Sequence, residues 1–488
     1  MNQPKRIVIV SNRGPFTFSR REGQLAVERG SGGLVTAISS VARQHKILWI
    51  SCALSKGDRE WLQTVGDGVH DVEDMQIRLV QPDPAQYQAY YNVVSNPLLW
   101  FIQHQLHDTP RSPVIDQNVW DAWANGYAAI NRQLAVAVAE SIEGSEEPVI
   151  VMPQDYQLYL FPRFLRELVG AHAVIQHFLH IPWPGPDAWR VLPQALRHEL
   201  LEAMLLCNRI GFQTERDTRR FLQTCADNLP ETRVMTPWRK LTYKEHELEA
   251  VPYPISIDVN ELDQRLKTPD VQEALERLQT SYQGQRLILR VDRVEPSKNI
   301  LRGLIAYRNL LRSHPEYRGQ VTMLALLVPS RTEVTEYKTY LRDIMALLGE
   351  INATLGDSDW EPVHVTLGNN YNRAIAAFSM YDVLLVNPLA DGMNLVAKEG
   401  AVLNRKDGVL ILSEEAGAAE ELGDFALLIS PYDVSGTREA LHRALSMPLE
   451  ERHRRAAGLA TQVRENDIHH WFSRQIADAQ RDVERLVN

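Results

Sequence analysis

Short apolar runs and amphipathic stretches alternate along the whole chain. Residues 6–10 read as a buried strand; a glycine-rich loop follows, then a helix from about residue 34 to 43 and a second strand over 47–51. Apolar runs at 148–152 and 173–179 each lead through a proline-containing turn into a helical pattern. At 251–258, Val-Pro-Tyr-Pro-Ile-Ser-Ile-Asp is stiffened against helix by its two prolines and reads as a domain joint. Beyond it the rhythm restarts, with strands over 286–291, 321–328, 383–386 and 408–412 and a helix over 300–313. Residues 475–487 carry apolar side chains at helical spacing among charges, the pattern of an amphipathic helix. Strand and helix in alternation predict an α/β protein of parallel sheets covered by helices on both faces.

Length turns one such sheet into two. A chain of 488 residues exceeds what one hydrophobic core sustains, so the joint divides a first doubly wound domain over 1–254 from a second over 255–465. Ligands are then expected at strand C-termini, in a cleft between two facing Rossmann-like domains. With 44% hydrophobic and 23% charged residues the composition is that of a globular enzyme. The net charge is −10 without long basic runs, which argues against nucleic acid as a partner. No apolar run reaches the roughly 20 residues of a membrane span, and no leader pattern precedes the first strand, so a cytoplasmic location and no membrane partner are expected. Cys52, Cys207 and Cys225 lack metal-ligand spacing and are expected to be buried thiols. Homo-oligomer formation is left open.

An acidic chain that binds anions must build local positive sites, so the informative places are Arg and Lys beside glycine turns at strand ends. The first is Ser11-Asn12-Arg13-Gly14, followed by Gly30-Ser31-Gly32-Gly33 ahead of a helix, where backbone N–H groups and the helix dipole favour a phosphate. Arg13 can fork two bonds to such a group. Two later strands end in Gln154-Asp155-Tyr156-Gln157 and His177-Phe178-Leu179-His180, a carboxylate and an imidazole suited to sugar hydroxyls. His177 and His180 lie three apart in an extended segment and face opposite ways, which disfavours a shared metal. In the second half, Arg293 and Lys298 flank a strand-to-helix turn and suit a diphosphate leaving group, and Arg331 ends the next strand. The most specific run is Asn387 to Glu399. In it, Asp391-Gly392 forms a turn, a helix starts near Asn394, and Glu399 is placed to accept ribose hydroxyls. Asp357-Ser358-Asp359 resembles a metal-binding Asp-x-Asp but lies in a polar loop with no strand before it, and reads as a turn.

Taken in order, these segments resemble the trehalose-6-phosphate synthase family of glycosyltransferases over nearly the whole chain. The resemblance rests on Ser11-Asn12-Arg13, the Gly32-Gly33 turn, Tyr90-Tyr91-Asn92 through Trp100, and Asp155-Tyr156. It continues in Phe178-Leu179-His180-Ile181-Pro182, Arg293 with Lys298, and Asp391 through Glu399. It implies a GT-B fold, with residues 466–488 as a helix crossing back to the first domain. It also implies a metal-independent, retaining transfer with no cofactor beyond a nucleotide-sugar substrate such as UDP-glucose or GDP-glucose. By alignment with the family, Arg13, Tyr91, Trp100, Asp155 and Arg331 hold the acceptor sugar phosphate. Gly32, Gly33, His180, Arg293, Lys298, Asp391, Leu395 and Glu399 align with the donor site, with His180, Arg293, Lys298 and Asp391 as the catalytic group. The expected reaction joins glucose from the donor to glucose 6-phosphate, and with no Asp-x-Asp-Gly-Thr phosphatase motif in this sequence the product is expected to keep its phosphate.

The chain departs from the family at Gln154-Asp155-Tyr156-Gln157, where His-Asp-Tyr-His is usual. It departs again at Arg293-Val294-Glu295-Pro296-Ser297-Lys298-Asn299, where the family has Arg-Leu-Asp-Tyr-Ser-Lys-Gly. The Pro182-Trp183-Pro184 turn with Trp189-Arg190-Val191-Leu192-Pro193 looks like the validoxylamine phosphate synthase branch, pseudo-glycosyltransferases that couple cyclitols. That branch loses parts of the first-half phosphate site and of the Asp391–Glu399 run, both kept here, so a true glycosyltransferase is expected. The rivals are a pseudo-glycosyltransferase and a catalytically silent sugar-phosphate sensor.

Overall fold

The computed structural model describes residues 6–21, 24–30, 35, 47–235, 237, 239–331 and 334–487. The helix expected over 34–43 falls, except for Val35, outside the described residues, as do Gly32 and Gly33. Contacts divide the chain into two units, Met1–Pro254 with His469–Asn488, and Ile255–Ile468.

In the first unit the described strands are β1 (Ile7–Ser11), β2 (Phe16–Arg21), β3 (Gln24–Arg29), β4 (Ile47–Cys52), β5 (His70–Val72), β6 (Met75–Val80), β7 (Val149–Pro153), β8 (Ala173–Phe178), β9 (Arg209–Phe212), β10 (Thr232–Met235), β11 (Lys240–Tyr243) and β12 (His246–Pro252). Ten of them form one sheet in the order β10-β11-β12-β9-β8-β7-β1-β4-β6-β5. Its interior is parallel: Ile7 of β1 faces Ile47 of β4 on one side and Ile150 of β7 on the other. Every residue of β1 is buried, because helices cover a parallel interior strand on both faces, and this is why the sequence there is a continuous apolar run rather than an alternation. Only the edges turn antiparallel, β5 against β6 and β10 through β12. Sequence order runs outward in opposite directions from β1 and β7, so the topological switch point lies between them.

The loop expected after β1 contains an antiparallel hairpin, β2 with β3. Its signal is the alternation Phe16-Thr17-Phe18 and the short apolar run Leu25-Ala26-Val27, overshadowed by the flanking glycines. The hairpin is clamped onto the helix Lys56–Val65: Asp58 accepts the backbone N–H of Phe18 at 2.9 Å, and Phe18 stacks on Trp61. Gly57 permits this approach, since a Cβ there would stand 1.9 Å from the Phe18 carbonyl oxygen.

Six strands build the second unit: β13 (Arg286–Arg293), β14 (Val321–Val328), β15 (Val363–Leu367), β16 (Val383–Val386), β17 (Val409–Ser413) and β18 (Leu427–Ile429). They lie all parallel in the order β15-β14-β13-β16-β17-β18. Counted from β13 this is the dinucleotide-fold order, whose switch point falls between β13 and β16. Ile288, Met323 and Ile411 from the sheet meet Leu304, Tyr307 and Leu441 from the helices Ile300–Ser313 and Val434–Leu445 in one core. Each such side chain contributes about 1.5–3 kcal/mol on full burial.

The last helix, Ile468–Val487, begins seven residues ahead of the pattern at 475–487. Trp471, Phe472, Ile476, Ala479 and Val483 are buried on the first unit, and Trp471 donates its indole N–H to the Tyr253 carbonyl at 3.1 Å. Arg209, on β9, forks onto both carboxylate oxygens of Asp482, at 3.0 and 3.1 Å. Cys52, Cys207 and Cys225 are buried free thiols. Among the described residues no helix is long and apolar enough to cross a membrane.

Candidate active site

Strand ends at the switch points carry the candidate residues of both units. In the first unit, β1 delivers Ser11-Asn12-Arg13. The Ser11 hydroxyl is held between the Trp49 indole and the Arg13 carbonyl, each at 2.7 Å, which shapes the turn and leaves the Arg13 side chain exposed. Asn12 accepts the Tyr87 hydroxyl at 3.2 Å, and Tyr87 stacks on Tyr91 with ring centroids 5.6 Å apart. Tyr91 and Trp100 both come from Ala89–Trp100, a π-helical segment that the sequence reading assigned to no element. Such wide turns recur at functional sites because they redirect side chains.

Beside β1, the end of β7 delivers Gln154 and Asp155. Asp155 has φ 73° and ψ 177°, a region that only glycine occupies without strain. The surroundings over-determine this conformation. The Asp155 N–H donates to the Phe178 carbonyl at 2.7 Å, its own carbonyl accepts from His177 at 3.0 Å, and its carboxylate accepts the His180 N–H at 3.1 Å. A strained non-glycine residue held at a switch point is the mark of a site. Trp100 packs 5.6 Å from Tyr156, whose hydroxyl donates to Asn96 of the π-helical segment at 2.8 Å. Arg13, Tyr91, Trp100, Asp155 and His180 therefore gather around one group of strand ends.

Gln154 settles the state of His180. Its amide nitrogen donates to the Met152 carbonyl at 3.1 Å, so its amide oxygen faces His180 Nε2 at 3.0 Å and that nitrogen carries the proton. Burial, with His177 close by, pushes the His180 imidazole down to about 3, and burial pushes His177 down to about 4. Both are neutral at physiological pH, which suits hydrogen bonding to hydroxyls rather than proton donation.

In the second unit, β13 ends at Arg293, and the single turn Pro296–Lys298 presents Lys298. Asn299 follows at φ 56°, a left-handed cap on the helix Ile300–Ser313. The Lys298 ammonium lies 2.5 Å from the Asp391 carboxylate, which comes from the loop after β16, so the pair spans the switch point. Asn394 also donates to Asp391, at 3.0 Å, and caps the helix Leu395–Leu403 through Ala397. Leu395 opens that helix. One turn on, Glu399 accepts the Tyr371 hydroxyl at 3.4 Å, and burial pushes its carboxyl up to about 7. Arg293 and Arg331 both reach the fully buried Glu295, at 3.1 and 3.4 Å.

Beneath Lys298 lies a supporting pair that no motif along the chain marks. Arg290 and Asp292 pair at 2.7 Å, and Arg290 donates to the Lys298 carbonyl at 2.6 Å. Two opposite charges at i and i+2, directly after the apolar run Leu287-Ile288-Leu289, are the available signal. Gly303 makes room, because a Cβ there would stand 2.3 Å from the Arg290 guanidinium. Asp357 accepts the Asp359 N–H at 2.9 Å, the turn expected of that segment. The tryptophans of the Pro182-Trp183-Pro184 turn region serve packing. Trp183 and Trp189 are fully buried, 4.4 Å apart, with the Trp183 indole donating to Thr224.

Two parallel-sheet Rossmann-like units, each with cationic side chains near its switch point, are the architecture of glycosyltransferases of the GT-B type. The family model for glycosyltransferase family 20 matches residues 5–481. The chain belongs to this family, that of the trehalose-6-phosphate synthases. It is 32% identical over 480 residues to an Aspergillus fumigatus alpha,alpha-trehalose-phosphate synthase [UDP-forming], covering 97% of this chain and 96% of that one. A Dictyostelium discoideum synthase of the same description is 30% identical, and the chain spans 64% of its length. Among solved structures, an Escherichia coli chain bound with UDP-2-fluoro glucose superposes with a TM-score of 0.85 at 29% identity, covering 97% of this chain and 98% of that one. The Burkholderia xenovorans synthase in complex with glucose-6-phosphate gives 0.83 at 28% identity, covering 97% and 100%.

Proposed function

We propose that this chain is a trehalose-6-phosphate synthase that transfers glucose, with retention, from UDP-glucose to the anomeric hydroxyl of glucose 6-phosphate. The bond from the donor C1 to the β-phosphate oxygen breaks, and C1 bonds to the acceptor oxygen. The acceptor proton leaves on the departing diphosphate, giving trehalose 6-phosphate and UDP. Arg293 and Lys298 stabilise the charge that builds on the diphosphate, as cations held in place before the bond breaks. Asp391 holds Lys298 in place, while Glu399 and the backbone at Leu395 receive the nucleoside and diphosphate. His180, neutral and fixed by Gln154, bonds the donor sugar. Arg13, Tyr91, Trp100, Asp155 and Arg331 receive the phosphorylated acceptor. Gly32 and Gly33 belong to the donor site on this reading. No metal or further cofactor is assigned a part, and a cytoplasmic setting accords with the three free thiols.

The observation that carries this reading is the Lys298–Asp391 pair across the switch point, with Arg293 on the same strand end. The relatives described as UDP-forming, and the neighbours bound to a UDP-glucose analogue and to glucose-6-phosphate, support the choice of substrates. The test is a matrix of UDP-glucose, GDP-glucose and a nucleotide cyclitol against glucose 6-phosphate, glucose and an amino-cyclitol phosphate, read by mass spectrometry. UDP and a phosphorylated disaccharide should form only from UDP-glucose with glucose 6-phosphate. Turnover confined to the cyclitol donor would refute the proposal in favour of the pseudo-glycosyltransferase.

A further inference from the structure

Glu295 is a fully buried carboxylate that no role assigned so far uses. One of its oxygens, Oε1, forms an ion pair with Arg293 Nη1 at 3.1 Å and accepts hydrogen bonds from Arg331 Nη1 at 3.4 Å and the Ser330 hydroxyl at 3.1 Å. Arg293 ends β13; Ser330 and Arg331 follow β14, the adjacent strand, with Arg293 in register with Val328. Arg331 stands at φ 45°, a left-handed conformation that turns its side chain back toward Glu295, and its Nη1 also meets the Tyr337 hydroxyl at 2.5 Å. A burial this complete is costly for a carboxylate unless cations and donors surround it, and here two guanidiniums and a hydroxyl do so.

We infer that Glu295 is a positioning residue that locks the donor-diphosphate arginine, Arg293, and the acceptor-phosphate arginine, Arg331, at a fixed separation. The inference rests on the functional reading above. One inward bond does not exhaust a guanidinium's donors, so each arginine can grip a phosphate while Glu295 holds its other edge. The two substrates are both anions, and their reacting atoms must meet within about 3–3.5 Å. A common counter-ion at the root of both cation sites sets that spacing before either substrate arrives. Glutamate reaches further than the aspartate usual in the family, and Ser330 adds a hydroxyl donor to Oε1. Placing both arginines in advance removes an ordering cost from each binding step, and the first ligand, by fixing the carboxylate, eases entry of the second.

The experiment uses the full chain, with UDP and glucose 6-phosphate as probes, in calorimetric titrations and in initial-rate assays. Glu295→Gln keeps the shape and loses the charge. It should weaken UDP and glucose 6-phosphate together, each at least threefold, abolish any mutual enhancement of their binding, and lower kcat about 100-fold. Glu295→Asp retains the charge in a folded protein and should recover at least a tenth of wild-type kcat. Weakening of only one probe, or of neither, overturns the inference, as does a Glu295→Asp variant as impaired as Glu295→Gln. Wild-type protein that binds neither probe overturns the functional reading itself, and that outcome is distinct from a wild type that binds both and a Glu295→Gln variant that behaves identically.

Discussion

The ammonium nitrogen of Lys298 stands 2.5 Å from a carboxylate oxygen of Asp391, although 93 positions separate them in the chain. They meet because β13 and β16 are neighbours in the second sheet, with the order reversing between them. Both side chains are mostly but not fully buried, so the pair is shielded from screening while the ammonium keeps some exposure. Removing Lys298 leaves no cation in this position.

Lys298→Ala should therefore reduce kcat by about 100- to 1,000-fold, the cost of losing one fixed stabiliser of developing charge. The supporting Arg290 bond goes to the Lys298 carbonyl, which alanine retains, so the fold should survive, with the melting temperature lowered by the Asp391 carboxylate left without its cation. Normal turnover in this variant would remove Lys298 from the mechanism.

Arg13 is exposed at the end of β1. A charge-assisted bond to phosphate is worth about 1.5–3 kcal/mol. Arg13→Ala is accordingly expected to raise the KM for glucose 6-phosphate about 10- to 100-fold, with little change in the KM for UDP-glucose. A steady-state analysis with each substrate varied in turn decides it; an unchanged acceptor KM would be fatal to the assignment.

Burial lifts the Glu399 carboxyl from an ordinary value of 4.5 to about 7. Between those values the folded chain holds a proton that the unfolded chain has lost, so this group's contribution to stability declines as pH rises through the window, and the full penalty applies above pH 7. Ribose hydroxyls donate to the ionised form. UDP binding should thus strengthen from pH 6 to pH 8 and release a proton from Glu399 near pH 6.5. Calorimetry in buffers of different ionisation enthalpy measures this, with Glu399→Gln separating it from the titration of UDP itself. Equal proton release in both proteins would rule Glu399 out as the source.

Asp155 pays for its place with a backbone conformation natural only to glycine. Asp155→Ala and Asp155→Gly both lose the bond to the His180 N–H, yet only the glycine variant relaxes. We expect Asp155→Gly to be more stable than Asp155→Ala by about 1–3 kcal/mol in urea denaturation, and both to be catalytically impaired. Equal stabilities would mean the strain is absent.

At the other end of the chain, Asp482 is buried against Arg209, and burial raises its carboxyl while Arg209 opposes the rise. Asp482→Ala removes the forked partner of the buried guanidinium, which keeps Glu249 at 2.8 Å, and should cost about 1.5–3 kcal/mol. Amide hydrogen exchange of the helix Ile468–Val487 should accelerate in this variant; protection equal to wild type would show that the apolar face alone holds the helix.

Much of this was legible without coordinates. Strands such as Ile7–Ser11 and Val321–Val328 announce themselves because a parallel strand buried on both faces must be apolar throughout. The helix Ile300–Ser313 is equally plain from its period. The hairpin β2–β3 and the π-helical Ala89–Trp100 were not. The hairpin's alternation is short and flanked by glycines, and in the π-helical segment Asn92, Ser95 and Asn96-Pro97 interrupt any helical apolar period.

The sequence by itself determined the alternation of elements, the family, and which side chains sit at strand ends, because burial pattern and turn chemistry are local properties of the chain. Tertiary structure alone decided which ends become neighbours. Strand order places Asp391 on Lys298, Glu295 between Arg293 and Arg331, and Gln154 against His180. No spacing along the chain encodes those pairings, since they follow from how the strands pair into sheets and not from their order in sequence.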